Sequence, residues 1–187
     1  MPEAVRARAP LSHADAAPAG TLGRLAAEIT IACNGAPGRM APGVVAALQA
    51  AAADPILLTA DQCVPCPDRY ARHVLYADPK GRFTLLALVW SGGQFSPVHA
   101  HHTWCAYAVH RGVLTETLFG FDAATDEAIP LRSEIRRAGY GCFARSGLEQ
   151  IHRLGNAGLE AAISIHVYGV EAGQVCSHVN RVLGARN

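Results

Sequence analysis

The 187-residue chain is short of charge and has no surplus of either sign. Charged residues make up 17% of it, below the roughly 25% of an average globular chain. Sixteen Lys+Arg nearly cancel fifteen Asp+Glu, so neither nucleic acid nor an anionic membrane surface is an expected partner. Long apolar runs are missing too. Runs such as LLALVW (Leu85–Trp90) fall far below the ~20 residues of a membrane-spanning helix. The opening stretch MPEAVRARAPLSHADAAPAG carries two arginines but no apolar segment of the kind a secretory signal requires. A reducing, cytoplasmic compartment is the expectation. Met1–Gly20, Ala/Pro-rich and aperiodic, reads as a mobile tail. Internal repeats and low-complexity linkers are also absent, so residues 21–187 read as a single domain.

Six cysteines, at positions 33, 63, 66, 105, 142 and 176, show no framework spacing, which argues against a disulfide scaffold. The lone C-x-x-C, Cys63–Cys66, has no second pair to complete a zinc site and lacks the strand-then-helix setting of a redox motif. A loop with two incidental thiols is the plainer reading.

Two segments have helical character. TLGRLAAEITIAC puts Leu22, Leu25, Ala26 and Ile29 on one face with Thr21 as N-cap, and APGVVAALQAAAADP runs from near Pro42 to Pro55. From about Val74 the chain changes to short β-prone runs divided by turn residues, among them HVLYA, FTLLALVW, CAYAVHR, GVLTETLFGF, EIRRAGYGCFA, IHRLGN and AAISIHVYG. Strands and turns without intervening helices predict a mainly β barrel or sandwich, here behind a short α-helical N-terminal region.

The densest chemistry lies in SPVHAHHTWCAYAVHRG (Ser96–Gly112). On a strand, His99 and His101 share a face while Ala100 and His102 point the other way, so two imidazoles can meet one ion. Taken alone, H-x-H more often marks surface residues than ligands. Its surroundings are more specific: Gly93, His99, His101, Cys105 and Gly112 resemble the first cupin motif, G-x5-H-x-H-x3-E-x6-G, with Cys105 where a glutamate ligand is usual. Gly139, Gly147, His152 and Asn156 follow the order of the second motif, with Arg145 in place of its proline. The resemblance implies a cupin (double-stranded β-helix, jelly-roll) barrel whose metal ligands are His99, His101 and His152. Three neutral imidazoles leave a divalent ion's charge uncancelled and favour anionic ligands in the open positions.

Within the cupins, Tyr70–Tyr168 is similar to the thiol dioxygenase family, best known from cysteine dioxygenase. GVLTETLF (Gly112–Phe119) resembles that family's glycine-x-leucine-x-glutamate-threonine-leucine stretch, and SIHVYG (Ser164–Gly169) its Ser-x-His-x-Tyr strand. HAH departs from the usual H-D-H at Ala100, on the side away from the metal. The resemblance implies Fe(II), O2 and a small thiol carboxylic acid oxidised to its sulfinate with both oxygen atoms incorporated. Catalytic roles would fall to Tyr168, His166 and Ser164. YARHVLY (Tyr70–Tyr76) resembles the family's Y-x-R strand, which gives Arg72 and Tyr70 a place at the substrate. Cys105 and Tyr168 match the pair that forms a thioether crosslink in mammalian-type members; a small buried thiol is the plainer alternative. L-cysteine leads as substrate, although GGQFSPVHAHHTW looks more like the mercaptopropionate branch, for whose arginine Arg181 is the nearest counterpart. Mercaptosuccinate oxidation and a non-catalytic metal- or ligand-binding sensor remain alternatives, the latter weakened by the lack of a DNA-binding segment. The oligomeric state stays open, as do roles for His73, His102, His110 and His178.

Overall fold

The strand TLLALVW has no polar side because both of its faces are covered. In the computed structural model, which describes residues 18–186, this strand is β2 (Thr84–Trp90), buried along its whole length. Leu85, Ala87 and Val89 pack outward under two helices, while Leu86, Leu88 and Trp90 point into the barrel. β9 (Ala162–Tyr168) repeats the arrangement: Ile163, Ile165 and Val167 face the helices, and Ser164, His166 and Tyr168 face inward.

The helices are α1 (Gly20–Asn34) and α2 (Pro37–Ala52). Leu25, Ala26 and Ile29 of α1 and Val44, Leu48 and Ala51 of α2 form the layer that seals the sheet's outer face. Thr21 does not cap α1, whose N-cap is Ala19; its hydroxyl instead donates to the Asp54 carboxylate just beyond α2. α2 starts earlier than the sequence pattern suggests, with Pro37 in its first turn and Pro42 inside it. The proline near the start of APGVVAALQ is therefore an internal one. The tail reading of residues 1–17 lies outside the described residues, and Gly20 already opens α1.

Two sheets form the barrel. One has the order β1-β2-β9-β4-β7, with β1 (Ala71–Ala77), β4 (Cys105–Arg111) and β7 (Gly141–Ala144). The other runs β10-β3-β8-β5-β6-β11, with β3 (His99–His101), β5 (Val113–Asp122), β6 (Glu127–Arg137), β8 (Gly147–Gly155), β10 (Asn180–Val182) and β11 (Gly184–Ala185). This is the expected cupin barrel behind an N-terminal helical pair. EIRRAGYGCFA, a single β-prone run in the sequence, is the end of one strand, a turn and the start of another. The turn passes through Gly139 at φ 86°, a region open to glycine, so the chain leaves one sheet and enters the other. Gly112, at φ 79° between β4 and β5, does the same, and a Cβ there would meet Ala162 at 3.0 Å. Among the described residues, no helix is long and apolar enough to cross a membrane.

Candidate metal centre

β3 and β8 lie side by side with His99 directly opposite His152, and the two-residue repeat of β3 brings His101 to the same face. The three rings converge: their ligand atoms all lie within 4.8 Å of one another, and ring centroids are 4.6–5.1 Å apart. All three residues are buried. Ala100, between the two β3 histidines, packs instead with Phe119, Ala128 and Ile151 on the other side of the sheet. His102 is exposed.

The surrounding groups decide which nitrogen of each ring is free. His99 Nδ1 lies 2.9 Å from the Pro97 carbonyl, which can only accept, so Nδ1 carries the proton and Nε2 keeps its lone pair. His152 Nδ1 lies 2.7 Å from a carboxylate oxygen of Glu116, with the same result. Burial, the largest influence, holds His99 down at about 3 and His101 at about 2, and mutual repulsion among the histidines adds to it. These two rings are thus neutral at physiological pH, the form a metal requires. Two rings with Nε2 freed by a second-nitrogen hydrogen bond, and a third beside them, fit a divalent transition metal.

Glu116 belongs to the GVLTETLF stretch, where the sequence gives it no role of its own. It sits on the inward face of β5 with Leu114, is 3% exposed, and takes a second hydrogen bond from Arg136 Nε at 2.8 Å. Burial pushes its carboxyl upward as the largest single influence. The His152 hydrogen bond and the Arg136 guanidinium together outweigh it, so the carboxyl stays below its ordinary value. An acid between Leu114 and Leu118, at the alternate positions of β5, was the available signal.

Ser164, His166 and Tyr168, alternate residues on the inward face of β9, are linked by hydrogen bonds. Ser164 Oγ is 2.8 Å from His166 Nε2, and Tyr168 Oη is 3.1 Å from His166 Nδ1. Trp90, which the sequence pattern did not single out, sets the direction of the chain. Its indole N–H can only donate, and it reaches Ser164 Oγ at 2.9 Å. Among the described residues His166 Nε2 is the other polar partner of Ser164 Oγ, so the serine proton goes there, the imidazole N–H to the phenol oxygen, and the Tyr168 O–H is left to donate elsewhere. Burial pushes His166 well below its usual value and Tyr168 above its own, so both are neutral. Cys105 stands directly opposite Tyr168 in the β4/β9 register, and its Sγ lies 3.2 Å from His101 Nε2. Complete burial raises its thiol well above normal, so it is protonated.

One cavity is lined by the triad, Tyr168, His166, Trp90, Tyr70 and Asn180. Tyr70 stacks on Trp90 with centroids 4.3 Å apart. Arg72 pairs with Leu88 across β1/β2 and therefore shares its inward side; the residue is exposed, its guanidinium donates to the Val175 carbonyl at 3.3 Å, and its charge is felt at His166 and Tyr168. Arg181 is placed differently. It opposes Ala100 in the β10/β3 register, so it shares the face turned away from the triad and is no counterpart of a substrate arginine there. The leftover histidines also lie off the site. His110 Nδ1 meets the Ala52 carbonyl at the end of α2, His73 pairs with Ala87 toward the helical layer, and His178 is exposed beside Ser177.

A two-sheet β barrel with three inward histidines on adjacent strands defines a cupin with a metal-capable centre. The chain belongs to the cysteine dioxygenase type I family, whose model matches residues 59–178. It is similar to "Cysteine dioxygenase type 1" from Homo sapiens, 30% identical over 103 residues that cover 54% of this chain and 50% of that one. The Bos taurus protein of the same name is 32% identical over the same shares. The chain thus spans about half the length of the curated relatives it matches. Among solved structures, TT1209 from Thermus thermophilus superposes with a TM-score of 0.47 at 16% identity, over 60% of this chain and 95% of that one. A Klebsiella pneumoniae protein with a double-stranded β-helix domain gives 0.47 at 19% identity, over 62% and 84%.

Proposed function

We propose that the protein is an Fe(II)-dependent thiol dioxygenase that converts a small thiol carboxylic acid to its sulfinic acid with O2. L-Cysteine is favoured over 3-mercaptopropionate and mercaptosuccinate. Family membership and the convergence of three imidazoles support the metal assignment, with His99, His101 and His152 as ligands. When bound, the iron supplies a Lewis-acidic centre that favours the thiolate form of the substrate and gathers thiol and O2 in reacting geometry.

The protein's own groups account for the rest. Arg72, on the inward side of β1, holds the substrate carboxylate through its planar fork. Tyr70 and Trp90 give the cavity an aromatic wall. Tyr168, its phenol oxygen accepting from His166, directs its own proton into the cavity as a hydrogen-bond donor. The Cys105–Tyr168 pair stands in the register that a thioether crosslink needs, and a mass lower by two hydrogens, abolished in Cys105→Ser, is its expected mark.

The observation that carries the proposal is that one cavity is lined by the histidine triad and by Trp90, His166 and Tyr168, which Ser164 joins into a hydrogen-bonded relay. The test is O2 uptake by anaerobically iron-loaded protein supplied separately with L-cysteine, 3-mercaptopropionate and mercaptosuccinate. Uptake matched by sulfinate from one thiol is expected. Bound iron with no uptake from any of them overturns the enzymatic reading in favour of a ligand-binding cupin.

A further inference from the structure

Two of the three imidazoles have a hydrogen-bond partner behind them, and the third does not. His99 is backed by the Pro97 carbonyl and His152 by Glu116, whereas His101 Nδ1 is buried without a partner among the described residues. The tautomer of this ring can be worked out. As a ligand the ring gives the metal Nε2, the nitrogen 3.2 Å from Cys105 Sγ, and a neutral imidazole carries its one proton on the other nitrogen. The ring proton then sits on Nδ1, which makes the orphan a buried donor. A second buried orphan lies close by, and it is an acceptor: Asn180 Oδ1. Asn180 is the residue directly opposite His101 in the antiparallel β3/β10 pair, and both side chains line the same cavity.

We infer that Asn180 is the positioning residue for His101: its Oδ1 accepts the His101 Nδ1–H and holds the ring with Nε2 turned toward the metal. The inference rests on the proposed reading of His99, His101 and His152 as ligands. Directly opposed residues on antiparallel strands have Cβ atoms ~4.5–5.5 Å apart, so an amide and an imidazole can meet between them. The amide torsion is broad, and the oxygen turns toward His101 with little resistance. Metal binding removes the Nε2 lone pair from the Cys105 contact and leaves Nδ1 as the ring's one remaining polar atom. The bond to Asn180 therefore matters most in the loaded protein. Each ligand then has an acceptor from a different element: the loop before β3, β5, and β10. The short strand β10, which the strand pattern of the sequence does not reveal, becomes part of the metal site.

The test compares wild type with Asn180→Leu and Asn180→Asp, using anaerobic Fe(II) in competition with a coloured chelator. Proton–nitrogen spectra of the His101 ring are recorded on Zn(II)-loaded samples. Asn180→Leu is expected to weaken Fe(II) retention roughly 10–100-fold, the usual effect of losing such a partner, and to lose the slowly exchanging Nδ1–H signal. Asn180→Asp, which keeps an acceptor, restores most of both. Should Asn180→Leu fail to fold, Asn180→Ser carries the same expectation, because its hydroxyl is too close to the backbone to span the gap. Equal Fe(II) retention and an unchanged Nδ1–H signal in the leucine variant, or in the serine variant in its place, overturn the role of Asn180 alone. A wild type that retains no metal overturns the triad reading and this inference with it.

Discussion

Glu116→Gln separates a ligand set that merely contains three histidines from one whose rings are held in place. Glu116 accepts from His152 Nδ1 at 2.7 Å and Arg136 Nε at 2.8 Å, and at 3% exposure it has no water to replace either partner. Glutamine keeps the size and one carbonyl oxygen, but its amide N–H2 must face one of two donors. If it faces His152, the ring loses the acceptor that fixes its proton on Nδ1, and the tautomer that blocks Nε2 becomes available. If it faces Arg136, the guanidinium N–H meets a second donor instead of an acceptor, and in either orientation this largely buried group loses the Glu116 charge. Removing an outer partner of a ligating histidine costs roughly 10–100-fold in metal affinity, or about 1.4–2.8 kcal/mol. A hydrogen bond to a charged group is worth about 1.5–3 kcal/mol, so the metal-free variant should also unfold at lower urea. The assay is anaerobic Fe(II) competition against a chelator on protein shown to be folded by circular dichroism. A folded Glu116→Gln that holds Fe(II) as tightly as wild type refutes the argument that Glu116 orients His152.

Three further outcomes follow from other parts of the structure. Arg72→Ala should raise the KM for L-cysteine at least about tenfold with iron content unchanged, since the arginine is exposed beside the cavity and not among the ligands; an unaltered KM removes Arg72 from substrate binding. Trp90→Phe leaves Ser164 without the donor that directs it, and one neutral hydrogen bond (about 0.5–1.5 kcal/mol) predicts a roughly 2–10-fold fall in kcat at normal iron content. Equal kcat across the pH profile would show that the relay needs no indole. Arg82→Met leaves the Asp78 carboxylate, whose side chain is 1% exposed, without its paired partner, and cuts the ties from the β1–β2 turn to Thr30 and Asn34 of α1. We expect a loss of about 2–3 kcal/mol, less than the 3–5 for a fully buried pair because Arg82 is partly exposed. The Arg82 hydrogen bonds hold the Asp78 carboxyl below its ordinary 3.8. This contribution is therefore complete above about pH 4 and is lost as pH falls through the lowered folded-state value, so urea midpoints of wild type and variant should converge in acid.

What the sequence made legible follows from strand periodicity. Residues two apart on one strand share a face, so the sequence alone groups His99 with His101, and Ser164 with His166 and Tyr168. Cys105 and Tyr168 could be paired only through the family resemblance, since nothing local says which strands lie side by side. The same gap hid Trp90, Glu116 and Asn180. Each acts through a partner on another strand, 74, 36 and 79 positions away respectively (Ser164, His152 and His101). Arg181 shows the converse: nearness in sequence to the Ser-His-Tyr strand made it the nearest counterpart of the mercaptopropionate branch's arginine, and its pairing opposite Ala100 puts it on the other face. The helices were found by composition, but their starts were not. Pro42 looked like an N-terminal signal although Pro37 supplies it.

The charge balance of the site argues for the class of substrate. His99 and His101 are held neutral by burial, and the cavity has no anion among the described residues that line it: the Cys105 thiol and Tyr168 phenol are kept protonated by the same cause. The Glu116 carboxylate behind His152 is paired with Arg136, so its charge is already matched. A divalent ion on this triad would keep nearly its full charge, and Arg72 adds another positive charge beside the cavity. A ligand that brings two negative groups of its own, one for the metal and one for the guanidinium, balances that arrangement, whereas a neutral thiol or a simple amine does not. A thiolate and a carboxylate joined by a short chain meet this requirement. A cysteine at position 105 in place of the usual cupin glutamate is consistent with it: a ligating glutamate would cancel part of a bound ion's charge and fill a position that the proposed thiol would use.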